Sequence, residues 1–164
     1  MKNVVLIGAS GFVGTAILNE LLNRNHKVTA IVRDAKKMNA SNPNLTIVEA
    51  DVTDTDALKE ASKGKDTVIS AYNPGWKNPH IYEDTLKNYP LIVESAKQAG
   101  VKRLLIVGGA GTLFYAPGKM VMDADDVPAQ LLPGIKSLGE FYLNTLRKEK
   151  DLSLIHISEP TRRS

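Results

Sequence analysis

The sequence predicts an α/β fold built on a doubly wound parallel sheet, and three observations predict it. Short β-branched runs alternate with segments of helical periodicity through five strands. The first run is continuously apolar rather than alternating, as a strand covered on both faces is. The first run ends in glycines that open directly into a helix, "NVVLIGASGFVG".

Each element has its own signal. "NVVLIG" (3–8) is the first strand, and residues 12–24 place Val13, Ile17, Leu21 and Leu22 on one stripe of a helix closed by "NRNHK". "KVTAIV" (27–32) and "LTIVEA" (45–50) are the second and third strands. "TDTDALKEASKG" sets Thr53 and Asp56 at capping-box spacing and ends in Gly64, which predicts a short helix. "DTVISAY" (66–72) is the fourth strand. In the next helix Asn78 is expected as N-cap and Pro79 at the first helical position, while Pro90 should kink the helix or split it. "RLLIVGG" (103–109) is the fifth strand, and after an irregular stretch "PGIKSLGEFYLNTLRKEK" is the last helix.

Composition narrows the function classes. The chain has 164 residues, 43% of them apolar and 24% charged, which suits one ordinary soluble domain. No apolar run approaches the ~20 residues of a membrane helix, and the first residues lack the pattern of a signal peptide. Without cysteine there is neither a disulfide nor a thiolate metal site, and a cytoplasmic location is expected. His, Asp and Glu are too scattered for metal-ligand spacing. The net charge of +3 is spread rather than striped, so neither nucleic acid nor a membrane is expected as partner.

The turn after the first strand carries Gly8, Gly11 and Gly14 in the spacing G-x-x-G-x-x-G. Alone, such a triplet is a tight turn; between strand and helix it is the context of a dinucleotide site. The first glycine permits the sharp turn, the second lets backbone approach a pyrophosphate, and the third lets helix pack on strand. Free N–H groups and the positive end of the helix starting near Phe12 would hold the phosphate charge. A Rossmann-type domain with a bound dinucleotide follows.

The end of the second strand bears on which dinucleotide. "IVRD" places Arg33 about twenty residues past the turn, where an arginine suits a 2′-phosphate and an acidic residue suits NAD. Lys36 and Lys37 follow closely. The expected cofactor is NADP; Asp34 next door keeps NAD as the alternative, and Arg33 could also simply leave the sheet into water.

"GASGFVG", "VTAIVRD", "EADVTD" and "LLIVGGAG", taken in order, resemble the atypical short-chain dehydrogenase/reductase proteins. More narrowly they resemble the NAD(P)H-binding group with NmrA-like and flavin/biliverdin-reductase-like members, over residues 2–151. The resemblance implies that Ser10, Gly11, Phe12 and Val13 sit on the pyrophosphate and Arg33 on the adenosine 2′-phosphate. It implies Asp51 and Val52 beside the adenine, and Ser70, Ala71 and Tyr72 near the ribose next to nicotinamide. Gly108 to Gly111 would line the floor where hydride moves. An NADPH-dependent oxidoreductase is implied, with a non-catalytic NADP(H) sensor of NmrA-like type as the alternative.

The departures bear on turnover. The family's usual Tyr-x-x-x-Lys pair has two counterparts here. "YAPGK" (115–119) contains Pro117 and Gly118, which work against a helical turn. "LPGIKSLGE" sets Lys136 and Glu140 at the spacing of a Y-x-x-x-K-x-x-x-E helix but leaves Leu132 where the tyrosine would stand. The strand-5 serine is also missing from "GGAG". An acceptor needing little acid help, such as a flavin or quinone, remains possible, whereas a sugar epimerase or dehydratase would need that tyrosine. Tyr72, Asn73 and Trp76 in "YNPGWKNPH" could wall a substrate pocket, with Trp76 equally readable as a loop anchor. His80 could donate a proton but reads more readily as a solvated residue at a helix start, and His26 reads as a surface residue.

The final stretch, "LSLIHISEPTRRS", differs in character. Leu152 through Arg162 match the in-frame translation of a transposase sequencing adapter without a mismatch. Residues 1–151 are therefore expected to be a truncated dinucleotide domain and 152–164 a non-native tail. The chain as it stands is then expected to be inactive or weakly binding, with an open pocket. The β-branched run 152–157 is expected to pair beside the fifth strand all the same. Reading the source gene through codon 151 checks this: the expected result is continuation into a different strand, and genomic "LSLIHISEPTRRS" followed by a stop would refute it.

Overall fold

A computed structural model of the chain describes residues 1–158. In chain order the elements are β1 (Asn3–Ile7), α1 (Phe12–Asn23), β2 (Lys27–Val32), β3 (Leu45–Glu49), α2 (Thr55–Ser62), β4 (Thr67–Ser70) and α3 (Ile81–Gln98). Then follow β5 (Arg103–Gly108), a hairpin of β6 (Phe114–Ala116) and β7 (Lys119–Met120), α4 (Leu132–Asn144) and β8 (Ser153–Ser158). The main sheet runs β3-β2-β1-β4-β5-β8, every pair parallel. The expected pairing of the last apolar run with β5 is present, Arg103 opposite Ser153.

The apolar runs explain the two layers. Along β1, Val4 and Leu6 face α1, whose Leu18 is buried among Val28, Ala30, Val32 and Ile69. Val5 and Ile7 face the other way, into a cluster with Leu58 of α2, Ile92 of α3 and Phe141 of α4. Burial on both sides is why the run does not alternate. Ile7 pairs with Ile31 on one side and Ser70 on the other, so β1, β2 and β4 end level. The chain turns one way from β1 to β3 and the other from β4 onward, leaving a crevice beyond the carboxyl ends at the switch.

Local details depart from the sequence expectations. Asp54, not Thr53, caps α2, accepting from the Ala57 N–H at 3.0 Å, because Thr53 is engaged with Asp51 instead. Helix α3 begins at Ile81 rather than Pro79, since Asn78 closes a side-chain turn on the His80 N–H at 2.9 Å. Pro90 neither splits nor ends α3. Buried Tyr89, Ile92, Val93 and Ala96 hold that helix on the sheet, and tertiary packing outweighs the lost backbone bond. The irregular stretch contains the β6–β7 hairpin, folded about Pro117 and Gly118. Tyr115 and Lys119 therefore share no helical turn.

The segment between α4 and β8 is tied down by charge. Lys97 of α3 lies 3.0 Å from Glu149 and 3.3 Å from Asp151. The Asp151 N–H and then Lys97 hold the Glu149 carboxyl below its ordinary value, while Glu149 and then Asp151 raise Lys97. The lowered acid contributes stability above about pH 4.3 and loses it as pH falls through its folded value. The raised base contributes below about pH 10.4 and loses it as pH rises through its own. Lys97→Met is therefore expected to lower the melting temperature near neutrality, with the difference from wild type shrinking in acid. Thermal melts at about pH 7 and about pH 2 check this.

Candidate functional site

The turn after β1 is squeezed between its neighbours. Gly8 takes φ +78°, and its N–H donates to the Ile31 carbonyl at 3.0 Å. A Cβ on Gly8 would lie 2.9 Å from the Ala71 carbonyl. One on Gly14 would lie 1.9 Å from the Gly8 oxygen, so α1 could not dock. Gly11 differs: its φ is −78°, open to any residue, and a Cβ there would meet only the Gly8 oxygen at 3.5 Å. The fold needs glycine at 8 and 14 but not at 11, where a methyl would take up space in the crevice.

That crevice is a cavity of about 440 Å³, within the range of small-molecule sites. Ser10, Gly11, Phe12 and Val13 line it at the turn, with Gly8 behind them. Helix α1 opens there with no side-chain cap and no acidic residue in its first turn, so its N–H groups and positive end face the space. Arg33 lines the wall after β2, Val52 after β3, Ala71 and Tyr72 after β4, and Gly108 at the end of β5. Gly14, Ser70 and Asp51 lie outside the wall, as do Ala110 and Gly111 of the expected floor. Gly14 is buried under α1. Ser70 is buried, its Oγ 3.4 Å from the Tyr72 N–H. Asp51 turns to Thr53, accepting from its N–H at 2.9 Å and its hydroxyl at 2.8 Å.

The electrostatics follow from these contacts. The two Thr53 bonds lower the Asp51 carboxyl, and the Arg33 charge adds to that. Burial pushes the Tyr72 phenol up, against the bond it accepts from Asn88 Nδ2 at 2.8 Å, so it keeps its proton. The Tyr89 hydroxyl donates to the Tyr72 carbonyl at 2.6 Å and fixes the backbone at that corner. At the end of β2, Asp34 accepts from the Lys36 N–H at 3.0 Å and does not line the cavity.

Helix α4 supplies Leu138 to the cavity rather than the Leu132–Lys136–Glu140 row. Lys136 is exposed, and Glu140 accepts from the Tyr82 hydroxyl at 2.6 Å, away from the cavity. His80 is exposed, and His26 accepts from the Lys2 N–H at 3.0 Å on the surface. Among the described residues no three His, Asp or Glu side chains are grouped to hold a metal ion. Tyr89 and Leu138 were not legible as cavity residues, because their helical spacing is that of ordinary core positions.

The profile of the NAD(P)H-binding family matches residues 8–138. The chain belongs to that family. It is 36% identical over 155 residues to the uncharacterized protein YwnB of Bacillus subtilis (strain 168), covering 93% of this chain and 69% of that one. A crystal structure of a candidate epimerase from Bacteroides thetaiotaomicron superposes with a TM-score of 0.89 at 52% identity, covering 96% of this chain and 70% of the other. A candidate NADH-flavin reductase from Streptococcus pneumoniae TIGR4 gives 0.79 at 31% identity, covering 96% and 71%. The NAD(P)H-binding family to which the chain belongs is of oxidoreductase type, similar to the atypical short-chain dehydrogenases. Its ligand is a nicotinamide dinucleotide. The residues present fit that group: a methyl-sized vacancy at Gly11, an uncapped helix end and a basic edge at Arg33.

Two alanine variants separate fold from ligand. Gly14→Ala is expected to prevent folding, since its Cβ would overlap the Gly8 carbonyl. Gly11→Ala is expected to fold, with its melting temperature nearly unchanged, and to bind NADPH at least about tenfold more weakly. Circular dichroism and calorimetric titration of both check this pair.

Proposed function

We propose that the cavity binds NADP(H), with the pyrophosphate on Ser10, Gly11, Phe12 and Val13, and that the chain is the dinucleotide-binding part of an oxidoreductase. The observation that carries this reading is the continuous wall from the phosphate turn to the Gly108–Gly109 floor at the end of β5. When bound there, the dinucleotide supplies a hydride. Arg33 offers its guanidinium fork to a 2′-phosphate, while Asp34 is occupied with the Lys36 N–H rather than turned to a ribose. Val52 borders the adenine, and Ala71 and Tyr72 hold the ribose side of the site. Gly108 keeps the floor free of side chain where a ring must lie flat. Tyr72 lines the cavity with its phenol protonated.

The acceptor read here is a flavin or quinone, which accepts hydride with little acid assistance. Leu132 and the "GGAG" run after β5 offer no proton donor for a carbonyl. The same two features favour the alternative, a cytoplasmic NADP(H) sensor of NmrA-like type that binds without turnover. A sugar epimerase or dehydratase is the weaker reading, resting on the name of the Bacteroides thetaiotaomicron relative.

Two measurements test the proposal. Arg33→Ala is expected to weaken NADPH binding about tenfold or more while leaving NADH within about twofold, by calorimetric titration. Equal losses remove the NADP preference. NADPH oxidation with flavins or quinones, followed at the nicotinamide absorbance, supports the enzyme; tight NADP(H) binding with no oxidation across the panel supports the sensor.

A further inference from the structure

We propose that Trp76 is the stacking wall of an acceptor subsite and that the acceptor is a flat conjugated ring; this rests on reading the cavity as a dinucleotide site. Trp76 lines the cavity and remains 46% exposed, although one edge of its indole is seated firmly. A Cβ built on Gly134 of α4 would lie 2.6 Å from Trp76 Cζ3, 3.2 Å from its Cε3 and 2.9 Å from Ile81 Cδ1. The benzo edge therefore sits in a notch that only a glycine leaves open. The rest of the indole faces the crevice.

An anchor alone would bury the ring; a wall needs it braced and half bare, as it is here. The loop that carries it is held at several points. Gly75 takes φ +104°, its N–H donates to Asn73 Oδ1 at 2.7 Å, and its carbonyl accepts from the Asn78 N–H at 3.0 Å. Asn78 Nδ2 in turn donates to Asp84 Oδ2 at 2.7 Å, tying the loop to the first turn of α3.

The chemistry next to the indole selects the ligand class. Gly134 and Leu138 are neighbours one turn apart on α4, and a Cβ on Gly109 would lie 3.6 Å from Leu138 Cδ1. Trp76 and Leu138 thus border one cavity from the side of α4, and its floor of Val107, Gly108 and Gly109 carries no hydrogen-bonding side chain. The polar side chains nearest in sequence, Tyr72 and Asn73, line the same cavity after β4 rather than on that floor. With the nicotinamide on the glycines, a planar acceptor would lie beside it with a face or edge against the indole, a geometry worth about tenfold in affinity.

Trp76 is the single tryptophan of the chain, so the test is spectroscopic as well as thermodynamic. Lumiflavin and menadione, rings without a phosphate, are titrated into wild type, Trp76→Phe and Trp76→Leu in the presence of NADP. NADP and NADPH affinities of each variant are measured separately by calorimetry. The expected result is that Trp76→Leu binds the rings about tenfold more weakly while Trp76→Phe stays within about threefold. Lumiflavin emission should be quenched on binding to wild type and far less on binding to Trp76→Phe. Dinucleotide affinity is expected to change by less than about threefold, since the phosphates are held at the opposite end of the cavity. Unchanged ring affinity in Trp76→Leu overturns the proposal, as does a fall in melting temperature with no change in ring binding. Wild type that binds NADPH but neither ring overturns the acceptor subsite alone; wild type that binds no dinucleotide overturns the cavity reading and this proposal with it.

Discussion

The approach of α1 to the carbonyl of Gly8 governs the rest of the molecule. A Cβ at Gly14 would stand 1.9 Å from that oxygen, so the helix reaches its place only because the position is bare. Once docked, α1 presents its first N–H groups to the crevice and buries Leu18 against β1 and β2. The same contact therefore sets a core layer and an anion-binding end. A helix displaced outward by one methyl would lose packing on one side and the phosphate cradle on the other.

On the opposite face the core runs up into the cavity wall. Phe141, Tyr89 and Tyr72 form a tilted aromatic series, with ring centroids 5.1 Å and 5.5 Å apart. The first two rings are buried and the third borders the crevice. The Tyr89 hydroxyl on the Tyr72 carbonyl and Asn88 on the Tyr72 phenol add two bonds at that corner. Tyr72 is accordingly positioned by α3 and α4 rather than by its own loop. Rigidity there comes from packing, at about 0.5–1.5 kcal/mol per aromatic pair beyond area burial.

The cavity divides by character along its length. One end has backbone N–H groups and the Arg33 charge and suits a phosphate-bearing ligand. The other end is glycine, leucine and half an indole, and suits a ring. This polarity matches a nicotinamide dinucleotide laid across the switch point, reactive ring toward β5. It also explains why a search for the usual tyrosine and lysine on α4 finds nothing at the cavity: the face of α4 that looks inward carries Gly134 and Leu138, while Lys136 is exposed and Glu140 holds Tyr82.

The sequence by itself determined the layers, the parallel sheet as far as β5 and the glycine turn between β1 and α1. Those features rest on local periodicity, on a doubly buried apolar run and on the glycines that the turn requires at 8 and 14. Arg33 stood out by its place at the end of β2, and the family resemblance marked Val52, Ala71, Tyr72 and Gly108, which lie at or just after the carboxyl ends of strands. Only the tertiary structure decided the caps of α2 and α3, the passage of α3 through Pro90, and the retreat of Asp51 and Ser70 from the wall. Each of these turns on a competition between nearby hydrogen-bond partners or on packing across the sheet. The seat of Trp76 is of the same kind. Gly134 lies 58 residues away in the chain, and the notch it leaves exists only once α4 packs beside α3.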